Sequence, residues 1–301
     1  MHGLVGELLY SVENYCGVDF GRVGMTMKYV QLNKGAEKRL KQGHLWIYSN
    51  EINVKQTPLK SFEPGEQVQI KTHADKMIGT AFMSPSSLIA GRVISRDPKQ
   101  VMDQSLLVHR LNIALSLRQN AFSEPCYRLV FGDSDRLPGL VIDRFEDDYV
   151  VQISSVGMEL LKSEIISALD KVCRPRHIVF KNNGKMRGPE GLESYVDVAK
   201  GDDIEDAMLT ENGVKFIAPI IAGQKTGWFY DHRMNRARLK DYVKGKRVLD
   251  LYSYVGGWGI QAAAFGAESV TCVDSSTLAL DYVIKNAELN NVHDKVDCIE
   301  G

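Results

Sequence analysis

The sequence predicts a mixed α/β and β protein built from three units. These are a small mixed β unit, an α+β unit and the opening half of a doubly wound parallel sheet. Three observations carry that expectation. Short strand-like runs fill Tyr29 to about Arg96; strands, a helix and a further strand follow between Tyr127 and Lys181; from Gly245 onward strand and helix patterns alternate. The length, 301 residues, exceeds one core of roughly 100–200 residues. With 44% hydrophobic and 25% charged residues, the composition excludes wholesale disorder.

Residues 1–27 are glycine-rich and weakly patterned, and Met25 and Met27 close the segment. They read as an unstructured extension or a misassigned start. The β unit is expected over 28–100. Glu66-Gln-Val-Gln-Ile70 alternates apolar and polar residues after the turn signal Pro64-Gly65, and Met77–Met83 and Leu88–Ile94 supply two more strands. Trp46 and Tyr48 are expected as core aromatics of this barrel. A linker helix is expected within 101–126, with Leu107, Leu111, Ala114 and Leu115 on one stripe.

The α+β unit is expected over 127–210. Its strands are Tyr127–Phe131, Leu140–Phe145 and Tyr149–Ser154, followed by a helix from about Met158 to Val172 and a strand at His177–Lys181. The last unit, 211–301, reads as βαβαβ. Its strands are Arg247–Tyr252, Ser269–Asp274 and Lys295–Ile299, its helices Ile260–Phe265 and Leu278–Leu289.

Several classes are excluded or disfavoured. No apolar run approaches the ~18 residues of a membrane span, and the N-terminus lacks the basic and apolar regions of a secretion signal. The five cysteines are odd in number and never form CxxC, so neither a disulfide framework nor structural zinc is expected, and a cytoplasmic setting fits. The seven histidines form no HExxH or i, i+4 pair, so no metal is expected. Gly132-Asp-Ser134-Asp-Arg136 lacks the second glycine of a nucleophile elbow, and turn chemistry explains Asp133 and Asp135 better. Cys272 and Cys298 fall in strands expected to be buried.

The formal net charge is −1, yet the charges are segregated. Lys28–Leu45 holds Lys34, Lys38, Arg39 and Lys41. Arg174–Arg187 is basic throughout its charged positions, and Arg233–Arg247 carries a third cluster. Asp202, Asp203, Glu205, Asp206 and Glu211 form an acidic counterweight. Three basic stretches can assemble one face that follows a phosphate backbone, or remain three solvated faces.

The chemistry concentrates in the last unit. Asp250 lies near the tip of its first strand, Gly256, Gly257 and Gly259 follow in the loop, and Asp274 ends the next strand. Glycines let a ligand approach backbone at a helix start, and a carboxylate ending the second strand can accept both ribose hydroxyls. That is a nucleoside site. The GxGxxG of a dinucleotide site is absent, bulky Trp258 stands where a diphosphate would lie, and no GxxxxGK[ST] occurs. Asp250 is placed to pair with an ammonium group, which S-adenosylmethionine has and NAD lacks.

Two long motifs are more specific. Gly223-Gln-Lys-Thr-Gly-Trp-Phe-Tyr-Asp-His-Arg233 with Val248-Leu-Asp-Leu-Tyr-Ser-Tyr-Val-Gly-Gly257 and Val273-Asp274 resembles the bacterial large-subunit ribosomal RNA cytosine-5 methyltransferases. Leu129–Arg144 is similar to that family's middle domain, and Lys34–Lys38 with Gly43–Ser49 to its N-terminal PUA domain, an RNA-binding barrel. The resemblance covers about Tyr29 to Gly301. It implies a PUA-like barrel, an α+β middle domain and a partial Rossmann-like class I methyltransferase domain that uses S-adenosyl-L-methionine. It implies that Lys225, Thr226, Phe229, Asp231 and Arg233 hold the cofactor beside Asp250, Ser253, Gly256, Gly257 and Asp274. Lys34, Lys38, Arg39 and Lys41 are the expected RNA contacts.

In that family the expected chemistry is thiolate attack at cytosine carbon 6, methyl transfer to carbon 5, then loss of the carbon 5 proton. The family's Asp-Pro-Pro loop and catalytic cysteine lie beyond Gly301, so no catalytic residue is assigned. The first strand of the last unit is expected between the second and a fourth that would begin after Gly301. On that expectation the 301-residue chain does not methylate and is poorly soluble. The expected partner is large-subunit ribosomal RNA, and a homodimer is a further expected assembly. The alternatives are an RNA-binding protein without catalysis and, less favoured, a nucleotide-dependent reductase.

Overall fold

The computed structural model describes residues 27–301, so the expected extension and Cys16 lie outside the described residues, Met27 excepted. Residues Tyr29 to Ser95 form a five-stranded sheet. Its elements are β1 (Tyr29–Gln31), α1 (Glu37–Lys41), β2 (Trp46–Ile47), β3 (Gln67–Lys71), β4 (Met77–Met83) and β5 (Gly91–Ser95). The strand order is β1-β3-β4-β5-β2, with only β1 and β3 parallel. Alternation in β3 puts Val68 and Ile70 inside, where they pack with Val30, Ile47, Ala81 and Val93.

Two expectations here need correction. The strand expected from Leu88 begins at Gly91, because Ser84–Ala90 closes a loop in which the Ser84 amide donates to the Ala90 carbonyl; Leu88 is exposed. Trp46 is not a core aromatic. It is 38% exposed, edge-on to Tyr48, and its indole N–H donates to Asp133 at 2.6 Å.

α2 (Gln104–Ala121) follows, capped by Asp103, whose Oδ1 accepts from the Leu106 amide. It is more than a linker. Leu107, Leu111 and Ala114 are buried in the second core, against α4. That core sits on a second five-stranded sheet: β6 (Cys126–Phe131), β7 (Leu140–Phe145), β8 (Asp148–Ile153), then α3 (Val156–Glu159) and α4 (Lys162–Cys173), β9 (His177–Asn182) and β10 (Tyr195–Lys200). The order is β10-β9-β8-β7-β6, with β8 and β9 parallel. The turn chemistry expected at Asp135 is present: its carboxylate accepts from the Phe131 amide and from both Nη atoms of Arg118.

The single helix expected over Met158–Val172 is split into α3 and α4. The break lies where the first unit docks, with Gly157 against the Phe82 ring and Leu160 against Gly65. A Cβ at Gly157 would overlap that ring. Glu190 fastens the same junction, accepting from Ser84 Oγ at 2.7 Å and from Arg92 at 3.0 Å.

The hairpin β11 (Ala207–Glu211) and β12 (Val214–Ala218) spans the expected division at 210/211. Further elements follow, and all but the first share one hydrophobic core with the hairpin. These are α5 (Arg233–Ala237), β13 (Arg247–Leu251), α6 (Gly259–Ala264), β14 (Ser269–Asp274), α7 (Thr277–Leu289) and β15 (Val296–Glu300). The last three strands form a parallel sheet in the order β13-β14-β15, as the βαβαβ pattern predicts. β13 lies at one edge, and its Leu249 and Leu251 are exposed. Among the described residues no helix is long and apolar enough to cross a membrane, and no three His, Cys, Asp or Glu side chains converge as a metal site.

Candidate cofactor site

The loop that leaves β13 is under backbone strain. Tyr252 and Tyr254 both take positive φ, 59° and 49°, on either side of Ser253. Such left-handed non-glycine residues cost of the order of 1–3 kcal/mol each, and persist where the surrounding structure over-determines them. Gly256 follows at φ 82°, with Ile260 and Val283 packed where a Cβ would point. The chain then enters α6 through Gly259, whose amide donates to Asp250 Oδ2 at 2.8 Å.

Over this loop lies a cavity of about 470 Å³. Ser253, Tyr254, Gly257 and Trp258 line it from the glycine loop, Asp274 and Ser275 from the end of β14, and Trp228, Phe229 and His232 from the opposite strap. The floor is polar and locked. The Asp274 carboxylate accepts from the Tyr254 amide through Oδ2 at 2.8 Å and from the Ser276 amide through Oδ1 at 3.0 Å. Two amides thus fix its orientation, and each oxygen keeps a lone pair. Ser253 Oγ is buried and has no partner within the protein. A buried hydroxyl without a partner is costly, so a ligand that satisfies it gains by binding there.

The strap is held from both sides. The Tyr254 hydroxyl accepts from the Gln224 amide at 3.0 Å and donates to the Gly227 carbonyl at 3.2 Å. Lys181, fully buried on β9, donates to the Gly223 carbonyl at 2.5 Å, and burial pushes its ammonium down to about 8. Beneath the strap the Arg236 guanidinium forms two bonds to Glu211, 2.6 and 3.0 Å. Trp228 Nε1 and Gln261 Nε2 donate to the same carboxylate at 3.0 and 2.9 Å.

The structure sorts the expected cofactor residues into two groups. Phe229, Ser253, Gly257 and Asp274 line the cavity, and Gly256 shapes the loop behind it. The Lys225 ammonium lies 4.2 Å from the centroid of the Phe229 ring, at the margin. The others are elsewhere. Thr226 is buried and donates to Asp143; Arg233 is buried and bonds the Cys126 carbonyl and Glu124. Asp231 and Arg233 line a different cavity. Asp250 does not line the cavity either. Burial raises its carboxyl to about 6, partly offset by the bond it accepts from the Gly259 amide at the loop–helix junction.

Sequence reasoning missed Gln224, Trp228, His232 and Arg236, which also line the cavity. The first three stand inside the Gly223–Arg233 motif, so the signal was present but unassigned. Arg236 was counted as surface charge. Of the two alternatives left open for the basic stretches, one face or three solvated faces, each has fewer charges to draw on, because Lys181, Arg187, Arg233 and Arg236 are all buried. Of the expected RNA contacts, Lys34, Lys38 and Lys41 are exposed without an ion pair among the described residues. Arg39 is tied to Glu51 at 2.7 Å and lies over Tyr48.

Comparison with known proteins adds the lineage. A family model described as a PUA-like domain matches residues 30–96, and one described as an S-adenosylmethionine-dependent methyltransferase matches residues 151–298. Ribosomal RNA large subunit methyltransferase I of Pseudoalteromonas translucida is 37% identical over 277 residues, covering 90% of this chain and 69% of that protein. The Erwinia tasmaniensis protein of the same name is 36% identical over 276 residues, 89% and 68% of the two chains. The Aliivibrio fischeri protein is 37% identical over 266 residues, 87% and 66%. The chain thus spans about two thirds of the length of these curated relatives. Among solved structures, a SAM-dependent methyltransferase candidate from Streptococcus mutans superposes with a TM-score of 0.76 at 24% identity over 91% of this chain and 71% of that one, which shows the fold. SMU.776, solved as a complex with SAH, superposes with a TM-score of 0.77 at 25% identity over 91% and 70%. With relatives of this identity and coverage, the chain belongs to the ribosomal RNA large subunit methyltransferase I family and carries a PUA-like domain and an S-adenosylmethionine-dependent methyltransferase domain.

Proposed function

We propose that this chain binds S-adenosylmethionine in the 470 Å³ cavity and serves methyl transfer to large-subunit ribosomal RNA, with carbon 5 of cytosine as acceptor. One observation carries the cofactor assignment. Asp274 is oriented by two amides at the C-terminal end of β14, and the unpaired Ser253 hydroxyl lies in the same wall. A ribose diol fits the first and a further polar group of the ligand the second. The aromatic strap of Trp228 and Phe229 matches a flat purine. When bound, the cofactor supplies an electrophilic sulfonium methyl. The protein's residues orient the ribose, exclude water and close the cavity from the strap side.

The RNA assignment rests on the PUA-like domain and on Lys34, Lys38 and Lys41, which project into solvent. The carbon 5 assignment rests on the family resemblance of the two motifs. Self-association as a homodimer belongs to the same reading and is tested by sedimentation velocity. A second reading, RNA binding without methyl transfer, has one observation in its favour. Burial pushes the thiols of Cys126, Cys173, Cys272 and Cys298 up, away from the thiolate that attack at carbon 6 requires.

Calorimetry with S-adenosylhomocysteine tests the cofactor assignment. Asp274→Ala removes charge-assisted bonds of roughly 1.5–3 kcal/mol and is expected to weaken binding at least tenfold. Unchanged affinity removes Asp274 from the site. Labelled methyl from S-adenosylmethionine appearing as 5-methylcytidine in digested ribosomal RNA separates the two readings.

A further inference from the structure

The segment Phe229–Arg233 is a partition. Phe229 and His232 line the cofactor cavity, whereas Tyr230, Asp231 and Arg233 line a second cavity of about 270 Å³. Its other walls come from α2 and β6 and the residues flanking them, with three arginines and three aromatic rings in all besides Tyr230.

Arg118 spends Nε on the Arg128 carbonyl and both Nη atoms on Asp135. Arg128 commits Nε and Nη2 to Asp143 at 2.8 and 2.9 Å. Arg233 commits both Nη atoms, to the Cys126 carbonyl and Glu124. Each guanidinium is therefore already paired with a carboxylate, which leaves little unbalanced positive charge in the cavity, and its flat face is a further contact surface. Those faces are stacked: Arg233 lies 4.5 Å from the Phe122 centroid and Arg128 5.4 Å from that of Phe131. Phe131 is 54% exposed at the end of β6. The acceptor in the lining is Asp231, whose side chain is 57% exposed and whose ion-pair contact among the described residues is His232 at 3.8 Å.

A phosphate is a poor fit, because each guanidinium is already balanced by a carboxylate and Asp231 adds a further negative charge to the lining. A flat ring bearing a donor is a good fit. Aromatic and arginine planes stack unpaired bases irrespective of sequence, and an aspartate accepts from a base amino group. We propose that this second cavity takes an unpaired RNA base carrying an amino group, stacked at Phe131 and Arg128 with its amino edge donating to Asp231. The proposal rests on the RNA-modifying reading above and gives the Gly223–Arg233 strap two duties. One side holds cofactor, the other a base of the substrate strand.

Fluorescence anisotropy with labelled octamers of cytidylate, adenylate and uridylate tests this on the full chain, with S-adenosylhomocysteine affinity measured in parallel. Phe131→Ala is expected to weaken all three octamers about tenfold, the loss of one stacked base. Asp231→Ala removes the acceptor and is expected to weaken the cytidylate and adenylate octamers at least fivefold and to leave the uridylate octamer within twofold. Both positions are exposed, so folding tolerates the changes. In both variants S-adenosylhomocysteine affinity stays as in the parent chain. RNA affinity indifferent to both substitutions overturns the proposal, while retained cofactor binding leaves the reading of the first cavity intact. A loss of cofactor affinity in Asp231→Ala also overturns it and returns that residue to the cofactor site. Cytidine monophosphate binding as tightly as the cytidylate octamer overturns the RNA assignment in favour of a free nucleotide.

Discussion

Two basic stretches that look alike in sequence behave in opposite ways. On and beside α1, Lys34, Lys38 and Lys41 are solvated, and the ion pair that α1 itself makes, Arg39–Glu51, is partly exposed. Around α5, Arg233 and Arg236 turn inward, and Arg236 meets a Glu211 that is wholly buried. What distinguishes them is the supply of carboxylates and aromatic faces from distant strands. β11 delivers Glu211, the strap delivers Trp228, and Glu124 comes from just before β6. A guanidinium with in-plane acceptors and an aromatic below it can be taken out of water, and a lone ammonium on a five-residue helix cannot.

Removing one partner from the buried side should have the largest effect. Arg236→Ala leaves Glu211 charged and buried with only Trp228 and Gln261 as side-chain donors among the described residues. A loss of about 3–5 kcal/mol in urea denaturation is expected, the range for breaking a buried pair. The strap should loosen with it, because Arg236 also holds the Phe229 carbonyl at 2.7 Å. A loss below about 1 kcal/mol would show that the pair is dispensable and the two basic stretches are less different than their geometry implies.

Asp250 sharpens the comparison because it is a buried carboxylate without a bonded cation. Its carboxyl is raised from 3.8 to about 6, with burial the largest cause. The folded state therefore holds this proton more tightly than the unfolded state. Stability falls as pH rises through the window from about 3.8 to about 6, and above it the full penalty applies, of the order of 3 kcal/mol at most. Asp250→Asn keeps an oxygen for the Gly259 amide and abolishes the charge. It should stabilise the protein at pH 7.5 by one to a few kcal/mol, and by clearly less at pH 5. An equal gain at both pH values would mean that Asp250 does not titrate in this range.

These differences mark the limit of what one sequence reveals. The last sheet was legible because its information is local: each strand is a short apolar run, each helix has its own stripe, and Gly256 needs its positive φ for reasons internal to the loop. The place of Asp274 in the cavity wall was legible for the same reason, by ending a strand. Thr226, Asp231 and Arg233 could not be placed, because neighbours in the motif point to different sides of the strap and the choice depends on Asp143 and Glu124, about eighty to more than a hundred residues away. The break between α3 and α4 was equally hidden, since it answers to Phe82 on another sheet. Trp46 was misread because β2 is two residues long and its partner, Asp133, belongs to the next unit.

The smallest stability effect belongs to the solvated stretch, and there the comparison is most exposed to test. Replacing Lys34, Lys38 and Lys41 with Gln removes charges that make no ion pair among the described residues, so unfolding free energy should move by less than about 0.5 kcal/mol. RNA binding should respond quite differently. Each lysine on a phosphate releases counterions, so the slope of log affinity against log salt should shrink by roughly 0.7 for every single-strand phosphate that is no longer neutralised. All three lysines engaged would therefore remove about two from the slope, with little change between RNA sequences. Arg39 provides the internal control. It is held by Glu51 and by the Tyr48 ring, so Arg39→Gln should cost more stability and less slope than any one of the lysines. A slope untouched by the triple change would mean that α1 is an ordinary solvated face and that RNA is held elsewhere on the chain.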